Sequence, residues 1–311
     1  MDIADVMMLF KHPDVKVSMS SGRKVDYIAS RQIVVPVDKQ AVIASGILDA
    51  RYVDMIPESI VLRIPDGKDY LTKPELFMLD LLSNYKWDRP LHMLNMGGDL
   101  NIGIKDYLLY EGYSYKFVPI RNKISTTDVG FVDTDELYRK MTQVYKWDAL
   151  SADGYFVDYQ NIYTNIGVMS PRSVFYCAAG AFMKAGENDR AVEMLDMCGE
   201  AMRRYPLESI PLGMSTNDYL VIGMVEDYYN LGEYEKARDL GSRMAADLLE
   251  SSRFYLEFYE FGKSEFELCG SYIYYLGDVM KAAGDTELAD KLTGSFAKLV
   301  EWAAGEEYSE S

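Results

Sequence analysis

Three glycine turns constrain this chain more than any other feature in it. Ala185-Gly-Glu-Asn-Asp-Arg-Ala191, Leu231-Gly-Glu-Tyr-Glu-Lys-Ala237 and Ala283-Gly-Asp-Thr-Glu-Leu-Ala289 each place a glycine five residues before an alanine. Apolar residues recur at helical spacing on both sides, so each turn reads as the bend of a helix pair. Glycine supplies the left-handed cap, and alanine lets two helices approach closely. Aligned on the alanines, Phe182, Tyr228 and Met280 take the bulky position of the first helix. The pattern predicts tetratricopeptide-like hairpins near 173–206, 219–249 and 271–302, with spacings of 46 and 52 residues between glycines. Ser170-Pro171 marks the start of this region as an N-cap followed by proline at the first helical position.

Stacked hairpins expose their first helices on a concave face that commonly docks a partner. The alignment places Tyr176, Lys184, Tyr219, Glu226, Tyr229, Asn230, Tyr274, Asp278 and Lys281 there. Tyrosines at such positions either stack on a ligand or fill space between helices, and the pattern leaves both open.

The first half has a different texture. Residues 15–17, 33–37 and 60–64 are short β-branched runs bounded by Gly, Pro, Asp or Ser. Pro36 and Pro65 make at least one of them an edge strand. Thr72 and Glu75 form a capping box opening a helix whose apolar face includes Leu76, Leu79 and Leu82. A strand over 91–96, a break at Gly97-Gly98-Asp99, a helix over about 102–111 and a strand over 115–120 complete the reading. Gly97-Gly98 could hold a phosphate at a helix start. Neither GxGxxG nor GxxxxGK[ST] is present, however, and Asp99 would repel an anion. The expected fold class is therefore an α+β domain over 1–150 followed by an all-α tetratricopeptide-like helical repeat array over 151–311.

Composition narrows the function. Among 311 residues, Lys plus Arg number 32 against 49 Asp plus Glu, a net charge of −17 that would repel a nucleic-acid backbone. The imbalance sits in residues 151–311, with 13 basic and 28 acidic side chains, while 1–150 hold 19 and 21. No apolar run is long enough to span a bilayer, and the start lacks the apolar region of a secretory leader, so the chain itself is expected to be soluble. Cys177, Cys198 and Cys269 match no zinc or redox spacing and read as core residues, with a Cys177–Cys198 bond left open. His12 and His92 have no HxH or HxxxH partner, and His92 reads as a strand residue. Gly-x-Ser-x-Gly, HExxH and similar catalytic motifs are absent, so no catalytic residue, metal or cofactor is assigned.

The central run carries more than composition does. Tyr70-Leu-Thr-Lys-Pro-Glu-Leu76, Leu79-Asp-Leu-Leu-Ser-Asn-Tyr-Lys-Trp-Asp-Arg-Pro90, Tyr107-Leu-Leu-Tyr-Glu-Gly112 and Tyr115-Lys-Phe-Val-Pro-Ile120 follow at short distances. Val132-Asp-Thr-Asp-Glu-Leu-Tyr138 and Lys146-Trp147 come next, then the repeats. This order resembles the C-terminal soluble part of a bacterial family of multi-spanning membrane proteins with a long-unassigned domain. Those proteins are regarded as protein O-mannosyltransferase-like glycosyltransferases of the GT-C type. The resemblance runs from Ile3-Ala-Asp-Val6 to about Trp302. It implies an N-terminal membrane domain that precedes this chain, holds the catalytic acid and takes the lipid-linked sugar. The present residues would then lie on the extracytoplasmic, periplasmic side. There they would recognise or position an acceptor protein or peptide, or brace the membrane domain. The rival expectation is a stand-alone peptide-binding scaffold that uses the repeat groove.

Overall fold

Asp2 starts the first helix by accepting a hydrogen bond from the Ala4 amide at 2.8 Å, satisfying one donor at the helix N-terminus. Helix α1 (Ile3–Lys11) then buries Ile3, Val6, Met7 and Phe10, a single i, i+3, i+4, i+7 stripe. The same aspartate device opens α2 (Lys39–Ala44) through Asp38 and α4 (Thr134–Arg139) through Asp133. Helix α3 (Lys73–Ser83) carries the capping contact read from the sequence, the Glu75 carboxylate accepting from the Thr72 amide at 2.8 Å. The computed structural model describes every residue except 27, 95–99, 126–127, 155–167, 202, 209–214 and 308–311. The Gly97-Gly98-Asp99 segment lies outside those described residues.

Two compact units divide the chain, Met1–Thr142 and Gln143–Ser311. Among the described residues, the first holds three small antiparallel sheets. Strand β1 (Lys16–Ser18) pairs with β2 (Lys24–Asp26), and β3 (Gln32–Pro36) with β4 (Ser59–Arg63). Ile33, Val35, Ile60 and Leu62 alternate into the core, as a half-buried strand pair requires. The third sheet has the order β5 (His92–Met93), β7 (Tyr115–Phe117), β6 (Leu108–Tyr110). Its core joins α1, β3, β4 and α3 through Phe10, Leu62, Leu79, Trp87 and Phe117.

The third sheet overturns one expectation. Residues 102–111 are not a helix: a 3-10 turn over Ile104–Tyr107 leads directly into β6. Leu108, Leu109 and Tyr110 are all buried, and a continuous apolar run of that length does not distinguish a covered strand from a buried helix. The deciding signal is the Glu111-Gly-Tyr-Ser114 turn. Gly112 takes a φ of 90° there, and the Glu111 amide donates to the Ser114 carbonyl at 2.9 Å.

In the second unit, Trp147 rests on Phe175 with ring centroids 4.4 Å apart, so the segment after residue 143 packs with helices rather than strands. Helix α5 (Ser170–Ala185) begins one residue earlier than the sequence indicated: Met169 is the N-cap, and Pro171 sits within the first turn. The described helices that follow are α6 (Asn188–Ala201), α7 (Ser215–Asn230), α8 (Tyr234–Glu257), α9 (Tyr259–Ala282) and α10 (Thr286–Glu307). Gly186, Gly232 and Gly284 adopt φ values of 76°, 81° and 93° between α5 and α6, α7 and α8, and α9 and α10. Ala191, Ala237 and Ala289 are fully buried one turn later. The long spacing between the second and third glycines has a simple cause. Helices α8 and α9 run to 24 residues each and meet at Phe258, where the sequence reading had ended one hairpin at 249 and begun the next at 271.

Candidate functional site

The side chains proposed for a groove sit on α5, α7 and α9, and the structure sorts them into two groups. In one group, Tyr176 of α5 meets α7 where Gly223 leaves room: a Cβ there would lie 2.6 Å from the tyrosine hydroxyl. Burial raises the Tyr176 phenol above its ordinary range, and Asp227, Tyr275, Glu226 and Tyr219 add to the effect in that order. Tyr219, more than half exposed, stacks on Tyr275 of α9 with centroids 5.7 Å apart and planes at 21°. The Tyr275 hydroxyl donates to Glu226 at 3.4 Å, and burial pushes its phenol up to about 12. Three helices thus contribute two stacked phenols, a third phenol against Gly223 and two adjacent carboxylates.

The other group is structural. Tyr229 is buried, and its hydroxyl donates to Asp285 at 2.6 Å. Arg238 of α8 grips the same carboxylate at 2.7–3.0 Å, so Tyr229 ties α7 to the turn between α9 and α10. Tyr274 presents its ring edge-on to Phe296 of α10 at 5.9 Å rather than to α7. Lys281 pairs with Asp290 of α10 at 3.0 Å. Asp278, Asn230 and Lys184 are exposed.

Tyr275 and Asp227 were missed by one residue each. Adjacent helical residues point about 100° apart, so an alignment that fixes the level of a side chain does not fix its direction. A usable signal was present: Tyr219, Gly223 and Glu226/Asp227 follow i, i+4, i+7/i+8 spacing, with glycine as the gap that receives Tyr176.

Burial pushes the Asp227 carboxyl up to about 7, and the neighbouring Glu226 adds to that. The Asp218 carboxyl rises to about 6, also chiefly by burial. A carboxyl with a raised folded pKa binds its proton more tightly in the fold than in the open chain. Stability therefore falls as pH rises from the unfolded value near 4 through the folded one. Asp227→Asn is expected to raise the urea midpoint of the helical unit at pH 8, to leave it nearly unchanged at pH 4, and to flatten the slope between. Urea titrations followed by circular dichroism at both pH values measure this.

Charges elsewhere are occupied with one another. Glu111, 2% exposed, is paired with Lys116 at 2.6 Å and accepts from Lys140, with His92 Nε2 3.7 Å away. Burial lowers the His92 pKa, Glu111 opposes that shift, and the two lysines reinforce it, so the imidazole is neutral at pH 7. Beside this network a 590 Å³ cleft holds Arg51 bound to Asp133 at 2.5 Å and Asp135 at 2.7 Å, with Arg139 bound to Glu136 at 2.8 Å. The Arg51 pairs fasten the 3-10 turn over Ala50–Met55 to α4, and the Arg139–Glu136 pair lies within α4. Cys198 and Cys269 are buried thiols whose pKa values burial pushes up to about 12 and 11, too high for a thiolate nucleophile at neutral pH. Cys198 stands unbonded, so the Cys177–Cys198 bond is not formed. Among the described residues, no three His, Cys, Asp or Glu side chains gather in a way that could hold a metal. Among them, too, no helix is long and apolar enough to cross a membrane.

Residues 1–136 match the family described as TMEM260-associated domain 2. The match covers the α+β unit and stops short of the helices, whereas the resemblance read from the sequence ran through to Trp302. No curated protein matches the chain. No solved structure matches it either.

Proposed function

We propose that the chain is the accessory region of a membrane glycosyltransferase-like protein, recognising or positioning an acceptor protein or bracing the membrane domain. The observation that carries this reading is the match of residues 1–136 to a TMEM260-associated domain. That family name links the α+β unit to a membrane glycosyltransferase and agrees with the resemblance in the 70–147 run. In this reading the helical unit is a tetratricopeptide-like array, supported by three glycine bends at φ 76–93° and three buried alanines. The region stands on the extracytoplasmic side. Sugar transfer and the lipid-linked donor belong to the membrane domain, and no residue here takes a catalytic role.

Acceptor handling is assigned to the cluster of Tyr176, Tyr219, Glu226, Asp227 and Tyr275. Stacked phenols offer flat apolar faces, and two carboxylates beside them favour a segment bearing cationic or hydroxyl side chains. Tyr229, Tyr274 and Lys281 are left out because each is engaged with a neighbouring helix or turn.

The test is glycan profiling of envelope proteins from cells making the full-length natural protein, compared with cells making it without these residues. Loss or redistribution of O-linked sugar, with the membrane part still inserted, supports the reading. Unchanged glycosylation detaches the chain from sugar transfer and leaves a peptide-binding scaffold.

A further inference from the structure

Helices α8 and α9 end in a point made of phenylalanine. A single residue, Phe258, separates the two. They run back antiparallel: Gly241 lies against Met280 and Leu276, and near the bend Gly262 lies against Tyr255. At the apex Phe254, Phe258 and Phe261 are 49%, 54% and 85% exposed. The rings of Phe254 and Phe258 stand 5.4 Å apart, so two of the three form a contiguous apolar surface, and Phe261 follows three residues along the chain. The core resumes directly beneath, where Leu256, Gly262 and Phe266 are buried and Phe266 packs on Phe296 at 5.2 Å. The exposed rings therefore project from a finished core.

Two further observations say what this point suits. Part of its backbone is satisfied from within, since the Phe261 and Gly262 amides donate to the Phe258 carbonyl at 2.9 and 2.8 Å. Those two amides carry no unmet demand for water into an apolar medium. The surface is also small. An aromatic side chain buries roughly 150–250 Å² in full. Two half-exposed rings and one largely exposed ring thus fall well short of the ~800 Å² per partner of a stable protein interface. The charges around them are mostly negative: Glu250, Glu257, Glu260, Glu265 and Glu267 against Arg253 and Lys263.

We propose that this point is an interfacial bilayer anchor. Phe254, Phe258 and Phe261 enter the boundary between headgroups and acyl chains of an uncharged bilayer. The glutamates of the two helices remain in water and disfavour anionic lipid. Three short rings give weak, reversible attachment comparable to that of a single lipid chain, so the point orients the helical unit on a surface near which it is already held. The inference needs only a nearby bilayer and stands apart from any role in sugar transfer.

Flotation of the purified 311-residue chain with vesicles of phosphatidylcholine, and of phosphatidylcholine mixed with phosphatidylserine, tests it. Co-flotation with phosphatidylcholine is expected, reduced when phosphatidylserine is added. Phe261→Ser should lower the bound fraction about tenfold, the equivalent of roughly half a buried phenylalanine, with the melting temperature unchanged. The triple Phe254→Ser, Phe258→Ser, Phe261→Ser variant should abolish binding. Phe261→Trp should shift its emission to the blue on vesicle addition, read as the difference from the unsubstituted chain. Absence of both co-flotation and the blue shift overturns the proposal, as does binding that the serine variants leave unchanged. A concentration-dependent dimer that Phe261→Ser dissolves overturns it in favour of contact between copies of the chain.

Discussion

Replacing Arg172 with methionine is expected to destabilise the helical unit by about 3 kcal/mol, the cost of removing one partner from a buried charged network. The guanidinium is fully buried in the first turn of α5. It donates to the carbonyls of Tyr205 at 2.7 Å, Pro206 at 2.9 Å and Leu207 at 3.3 Å, and to the Asn217 side-chain oxygen. Those carbonyls follow the end of α6, so one arginine satisfies acceptors that the helix cannot reach. Leu207 keeps a second donor in Asn217 at 3.1 Å, which leaves two backbone carbonyls and one amide oxygen stranded when Arg172 is lost. Two opposing contributions favour the variant. Burial pushes the Arg172 pKa down to about 10, and its Nε has no acceptor, so the charge is held at a cost. Methionine would also refill part of the space. The stranded acceptors outweigh both because each forfeits a charge-assisted bond and the Asn217 oxygen is fully buried, where water does not replace it. Arg172→Lys should fall between, since one ammonium cannot span the fork of acceptors. The urea midpoint of the helical unit reads the result. A midpoint equal to or above that of the parent chain would show that burying the charge costs more than the acceptors return.

Arg172 also shows where sequence reading stops. A charged residue one step past a proline at a helix start reads as solvated. Its burial is decided by carbonyls 33–35 residues away, which no local pattern contains. The glycine bends and the Thr72–Glu75 cap were legible because each is settled within a few residues by backbone conformation or a single hydrogen bond. The helix expected over 102–111 failed for the opposite reason: β6 is defined by its pairing with β7, and its own residues are uniformly apolar. The groove lies between these extremes. Repeat alignment found the helices and the level of the tyrosines, but Tyr275 faces α7 and Tyr274 faces α10, a choice made by packing. Exposure was the least legible property. Phe258 and Phe261 carry the same apolar signal as Phe266, and only the single-residue bend between two long helices separates surface from core.

Trp87→Ala is expected to cost the α+β unit about 4 kcal/mol, and Trp87→Gly about 1 kcal/mol less, the reverse of the usual order of these two residues. Trp87 is 1% exposed, stacked on Phe117 with centroids 5.3 Å apart and planes at 14°, and tilted against Tyr85 at 4.8 Å. Its indole N–H donates to the Pro36 carbonyl at 2.8 Å, which ties the turn after α3 to the end of β3. Either truncation removes all of this. What separates the two is the backbone, because Trp87 holds a φ of 57°, the left-handed region that disfavours any residue with a Cβ. Alanine would keep that strain without the packing that sustains it, whereas glycine adopts the same φ freely. In an ordinary helix or strand glycine would be the worse of the two by about 0.5–1 kcal/mol. The order of the two midpoints therefore measures the strain itself, independently of how much of the cavity collapses. Trp87→Phe keeps a ring against Phe117 but strands the Pro36 carbonyl, and should lie above both, about 2 kcal/mol below the parent chain. Denaturant unfolding of the three variants decides the matter. An alanine midpoint at or above that of glycine would mean that residue 87 relaxes out of the left-handed region once the indole is gone, and that the indole's packing alone holds the turn in its strained form.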